Sequence, residues 1–165
     1  MSATTVTVNI GYGEQTALVQ GKTGPQNLGG LRVANFKFTA DGTGTLAATP
    51  VVQLPAGSLV IYRLLCGAYS SDQASSATLD LGYAAHTDET GTAVNAAGDV
   101  ILDGYAIDAT VQAALAGTGT NAANLPPLRL NSQSGINITA TVAGGNLTSG
   151  ENVQGWIVFS GGTAN

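Results

Sequence analysis

Side-chain character alternates with a period of two along most of this chain, and no other feature limits its fold so strongly. "TLDLGY" at 78–83 sets Leu79, Leu81 and Tyr83 against Thr78, Asp80 and Gly82. "GINITATV" does the same, with Ile136, Ile138, Ala140 and Val142 on one side and Asn137, Thr139 and Thr141 on the other. Successive side chains of a strand point to opposite faces, so this pattern marks strands with one face toward a core. "LRVANFKF", "DVILDGYA" and "NVQGWIVF" are further strands, and turn signals separate them: "ADGTG" at 40–44, "LPAG" at 54–57, "AAGD" at 96–99 and "VAGGN" at 142–146. Strands of this length, punctuated this often, predict an all-β fold, an antiparallel sandwich or barrel.

One stretch does not fit a strand with a single buried face. "VVQLPAGSLVIYRLLC", residues 51–66, is the most apolar in the chain. Pro55 suits the second position of a turn that begins at Leu54, and Gly57 suits the fourth. Pro50 and Pro55 also keep the segment between them from pairing as a central strand. Read as a strand beyond that turn, Val60, Tyr62, Leu64 and Cys66 share one face, and Leu59, Ile61, Arg63 and Leu65 the other. "NVQGWIVF" is two-sided as well: Val153, Gly155, Ile157 and Phe159 form one face, Gln154, Trp156 and Val158 the other. A core takes one face of each. Leaving a Leu- or Ile-sized side chain exposed forfeits about 1.5–3 kcal/mol. A second face built from Leu59, Ile61, Arg63, Leu65, Trp156 and Val158 is therefore expected to be covered, either by a partner or by another part of the same chain.

One helix is expected. "DATVQAALAG" offers Asp108 as N-cap, Val111 and Leu115 on one face, and Gly117 as a stop. Residues 1–30 have a different texture, with glycine-rich breaks at "GYGEQ" and "GKTGPQNLGG". They are expected to form an N-terminal arm or an edge hairpin, with residues 31–165 as the sandwich domain.

Only 9% of the residues are charged, against a usual fraction of about 25%. Interface cores are depleted of charge in the same way. The formal net charge is -5, and Lys22, Arg32, Lys37, Arg63 and Arg129 are scattered, so no cationic patch for a phosphate backbone is expected and nucleic acid is excluded as a partner. No run approaches the ~18 apolar residues of a membrane span. The first residues carry no secretory pattern, so synthesis in the cytoplasm is expected.

The chemistry-bearing residues form no convincing site. His86, Asp88 and Glu89 in "HTDE" lie close in sequence, but no second His or Cys supports a metal pattern. Asp99, Asp103 and Asp108 depart from the spacing of a calcium loop. No nucleophile elbow accompanies the single histidine, so no enzyme and no cofactor are expected. The sequons at Asn137 and Asn146 are read as chance matches. Cys66, the only cysteine, is expected as a small buried side chain.

"LPAGSLVIYRLL" followed by "ATLDLGY", together with "ENVQGWIVFSG" near the C-terminus, resembles small virion proteins of tailed bacteriophages. In those, a Leu-Pro-Ala-Gly turn launches a long apolar strand and a Thr-x-Asp-x-Gly strand follows. The likeness is to capsid decoration, or cement, proteins with a jelly-roll-like β-sandwich. It covers about residues 50 to 83 and the last strand. It implies a virion structural protein on the capsid exterior that binds the major capsid protein, commonly as a homotrimer. Two alternatives stand beside it: a head-fibre, spike or tail component, or a carbohydrate-binding sandwich with Trp156, Tyr69, Tyr83 or Tyr105 as stacking platforms.

Overall fold

The computed structural model describes residues 6–8, 30–40, 44–70, 76–107, 114–115 and 126–161. Among these residues the protein is an antiparallel β-sandwich. The larger sheet has seven strands: β1 (Val6–Val8), β2 (Leu31–Ala40), β4 (Gly57–Ile61), β5 (Gly67–Ser70), β10 (Ala114–Leu115), β11 (Leu128–Ser132) and β13 (Asn152–Gly161). The smaller has four: β3 (Gly44–Leu54), β6 (Thr78–Tyr83), β9 (Ala97–Ala106) and β12 (Ile136–Leu147). A short hairpin, β7 (His86–Thr87) with β8 (Ala93–Val94), stands apart.

The strand order is β1-β2-β13-β4-β11 in one sheet and β3-β12-β6-β9 in the other. The first and last long strands are neighbours, and the chain changes sheets between β2 and β3, β3 and β4, β5 and β6, β9 and β10, β11 and β12, and β12 and β13. Two interlocked Greek keys give this connectivity, so the sandwich is jelly-roll-like. The period-two residues form its core: Phe36, Phe38, Leu79, Leu81, Ile136, Ile138, Ile157 and Phe159 are buried. Thr139, expected outside, is also buried at 5% exposure.

Turn chemistry acts where expected. Leu54, Pro55, Ala56 and Gly57 link β3 to β4, with Gly57 at φ 98°, a conformation that favours glycine. Pro50 lies within β3, and β3 is an edge strand, where a residue without an N–H is tolerated. Gly155 answers a packing need instead. A Cβ there would lie 2.3 Å from the Phe36 ring and 2.7 Å from the Gly67 carbonyl oxygen.

Two expected elements fall largely outside the described residues. Within "DATVQAALAG", Ala114 and Leu115 pair with Ala68 and Gly67 as a strand, where a helix was expected. Short apolar runs do not distinguish the two by periodicity. Of residues 1–30, Val6–Val8 pair antiparallel with Phe38–Ala40 at one end of the larger sheet.

Candidate interaction surface

The long strand expected through Cys66 ends at Ile61. A 3-10 turn follows at Arg63–Leu65, and β5 resumes the strand at Gly67. Both β4 and β5 pair with β13, which takes Ile61 opposite Phe159 and Gly67 opposite Trp156. Residues 62–66 therefore bulge out beside Ile157 and Val158. The bulge is hydrogen-bonded on itself and to β13. Tyr62 N–H donates to the Val158 carbonyl at 2.9 Å, and Leu65 N–H to the Tyr62 carbonyl at 2.8 Å.

Cys66 closes it. Its Sγ, fully buried, accepts the Val158 N–H at 3.3 Å, and its thiol reaches the Tyr62 carbonyl at 3.4 Å. Val158 N–H would otherwise lack a ladder partner where β4 has left the sheet. Burial pushes the Cys66 thiol up to about 11, the Val158 backbone contact acting weakly the other way. At neutral pH it is a protonated structural group, not a nucleophile.

The bulge shifts the side-chain register and separates residues expected together. Leu59 and Ile61 are core residues with 1% and 0% exposure, not members of an outer patch. Arg63 reaches across the sandwich edge, donating from Nε and Nη2 to the Pro126 carbonyl and from Nη1 to the Val100 carbonyl on β9. It ties the two sheets together. Leu65 is exposed, and Trp156 and Val158 lie on the outer face of β13. The indole N–H of Trp156 donates to the Leu65 carbonyl at 2.7 Å. Val158 retains only 8% exposure.

Cross-strand register places the outer residues in rows. Leu31, Ser160, Val60 and Arg129 form one row across β2, β13, β4 and β11. Val33 lies opposite Val158 in the next. Asn35, Trp156 and Gly67 follow, then Lys37, Gln154 and Tyr69. The large apolar side chains exposed among the described residues are Leu31 at 45%, Val33 at 46%, Leu64 at 44% and Leu65 at 42%. The first two lie on this outer face, and the other two project from the bulge beside it. Sequence reading missed Leu31, Val33 and Leu64. The signal for Leu31 and Val33 was present in "LRVANFKF", whose second face is apolar at its start.

The other candidates have structural explanations. Asp88 Oδ1 accepts from the Thr90 and Thr92 backbone N–H groups and from Thr90 Oγ1, closing the β7–β8 hairpin. These bonds, led by the Thr90 hydroxyl, hold its carboxyl below the usual range. His86 meets Tyr83 edge-on with ring centroids 5.4 Å apart, and its Nδ1 lies 3.1 Å from the Ala84 carbonyl. Asp80 Oδ1 accepts the Gly104 N–H, and Asp99 and Asp103 lie exposed on β9. No group of three His, Cys, Asp or Glu side chains converges on a metal-sized site among the described residues. Of the expected stacking platforms, Tyr105 is buried at 5% exposure, so it cannot stack on a ligand from solvent.

The chain matches no family model, no curated protein and no solved structure.

Proposed function

We propose that this chain is a virion structural protein of tailed bacteriophages, a decoration protein that binds the outer surface of a capsid shell and stabilises it. The observation that carries the reading is the apolar band around Leu31, Val33, Leu64 and Leu65, set on the outer side of a sheet whose inner side already fills the core. The jelly-roll-like connectivity and the "LPAGSLVIYRLL" pattern, which launches the strand leading into that band, support it.

Magnitude favours many weak contacts over one tight site. Each of the four side chains is a little under half exposed, so covering it contributes about 1 kcal/mol of the ~1.5–3 kcal/mol for full burial. About 4 kcal/mol in all barely meets the association cost of ~4–15 kcal/mol. Copies that also touch one another on a lattice share that cost through avidity.

A ligand that binds only the assembled shell raises its stability by mass action. The test is the disruption temperature of undecorated shells from the phage encoding this chain, measured with increasing protein. A rise that saturates with concentration is expected. An unchanged temperature at saturating protein would refute the reading.

A further inference from the structure

Charge on the described residues is sorted by sheet. Arg32 and Lys37 on β2, Arg129 on β11, and Arg63 in the turn between β4 and β5 all belong to the larger sheet. Asp80, Asp99 and Asp103 belong to the smaller sheet, and Asp88 and Glu89 to the β7–β8 hairpin. Glu151, in the turn before β13, sits at the rim. The rows of outward side chains on the larger sheet contain no carboxylate among the described residues.

Two of the cations face outward there. Arg129 shares a row with Leu31, and Lys37 shares one with Tyr69, so they bracket the apolar band diagonally. Arg63 is held by backbone carbonyls and Arg32 points toward the core side, so neither adds to this face. Beside Arg129, a furrow of about 230 Å³ runs between β4 and β11, lined by Ser58, Leu59, Val60, Arg129, Leu130 and Asn131. Its lining is mixed, part polar and part apolar, and the guanidinium at one side suits a carboxylate-bearing side chain from a partner.

We propose that the outer face of the larger sheet is the shell-facing side of this protein, and that it docks on an acidic surface of the capsid subunit studded with apolar side chains. This rests on the decoration reading above. A second copy fits the face less well. Two such faces meeting would set cations against cations, and the smaller sheet of another copy would match the charge but offer no exposed large apolar side chain among the described residues. An acidic, apolar partner satisfies both features. The smaller sheet then faces solvent, where its carboxylates keep decorated particles apart.

The test compares variants for binding to undecorated shells of the encoding phage. The V33D/L65D pair should weaken binding at least about thirtyfold and the K37E/R129E pair about tenfold. E89K/D99K, on the β7–β8 hairpin and on β9, should bind within about twofold of the parent. All six positions are exposed, so folding is checked by thermal melts. A measurement on the unsubstituted protein accompanies it: amine labelling of Lys37 should be suppressed on the shell. If the parent binds while V33D/L65D and K37E/R129E bind equally well and Lys37 stays reactive, the docking face is wrong and the decoration reading stands. If K37E/R129E alone is unchanged, the partner is not acidic. If the parent does not bind, the decoration reading falls and the docking face falls with it.

Discussion

Replacing Cys66 tests how the larger sheet tolerates its bulge. The thiol occupies a fully buried site and supplies the acceptor for Val158 N–H at 3.3 Å. In Cys66→Ala that N–H loses its partner, costing about 1–3 kcal/mol, and the lost sulfur forfeits about 1 kcal/mol of burial and packing. A loss of about 2–4 kcal/mol is expected. Cys66→Val restores most of the volume but not the acceptor, so it should recover only the packing part, about 1 kcal/mol. Cys66→Ser restores an acceptor on a shorter arm and should be the mildest of the three. Denaturant unfolding followed by Trp156 fluorescence suits the question, because the indole bonds to Leu65 in the same bulge.

The thiol adds a pH signature. Its value rises from 9.0 to about 11 on folding, so the native state holds the proton where the unfolded chain has released it. That contribution is fully present below about pH 9 and disappears as pH rises through about 11. It is worth on the order of 2–3 kcal/mol. The stability gap between the parent and Cys66→Ser should therefore narrow across that window, other alkaline titrations being common to both. If Cys66→Val matched the parent, the sulfur would not be the bulge's acceptor; if the gap held constant to pH 11, burial would not be holding the thiol proton.

Other substitutions probe separate links. Gly155→Ala places a methyl against the Phe36 ring and the Gly67 carbonyl and should cost about 1–3 kcal/mol; Phe36→Leu in the same chain should recover part of it, as read by paired melts. Trp156→Phe removes the 2.7 Å bond to Leu65 and should cost about 1 kcal/mol, with faster amide exchange confined to the 62–66 bulge. Asp88→Ala removes the acceptor that closes the β7–β8 hairpin. Because that carboxyl is held low, its effect should be present at neutral pH and vanish as pH falls through its folded value, seen as converging hairpin chemical shifts of variant and parent in acid.

The sandwich was legible in the sequence because alternation and turn residues agree. Leu79, Leu81, Ile136 and Ile138 are buried where the period places them, and Pro50 occurs on an edge as its missing N–H requires. The candidate surface was only half legible. Trp156, Val158 and Leu65 lie on or beside it, whereas Leu59 and Ile61 are core. A period-two count assumes an unbroken strand, and a five-residue bulge resets the register without any glycine or proline to mark it. What makes the bulge possible is a cysteine accepting a bond across 92 positions of sequence, a pairing invisible to local pattern. Leu31 and Val33 were readable in principle, since they begin the face of "LRVANFKF" opposite Ala34, Phe36 and Phe38.

The central claim is that many copies cover a shell by a repeated weak contact. The most direct measurement is to saturate undecorated tailed-phage shells, including those of the phage proposed to encode this chain, with the protein and count bound copies per particle by electron cryomicroscopy. The account predicts hundreds of copies at symmetry-related lattice positions, each with the larger sheet toward the shell. A handful of copies confined to one vertex or the tail, or none, would contradict it.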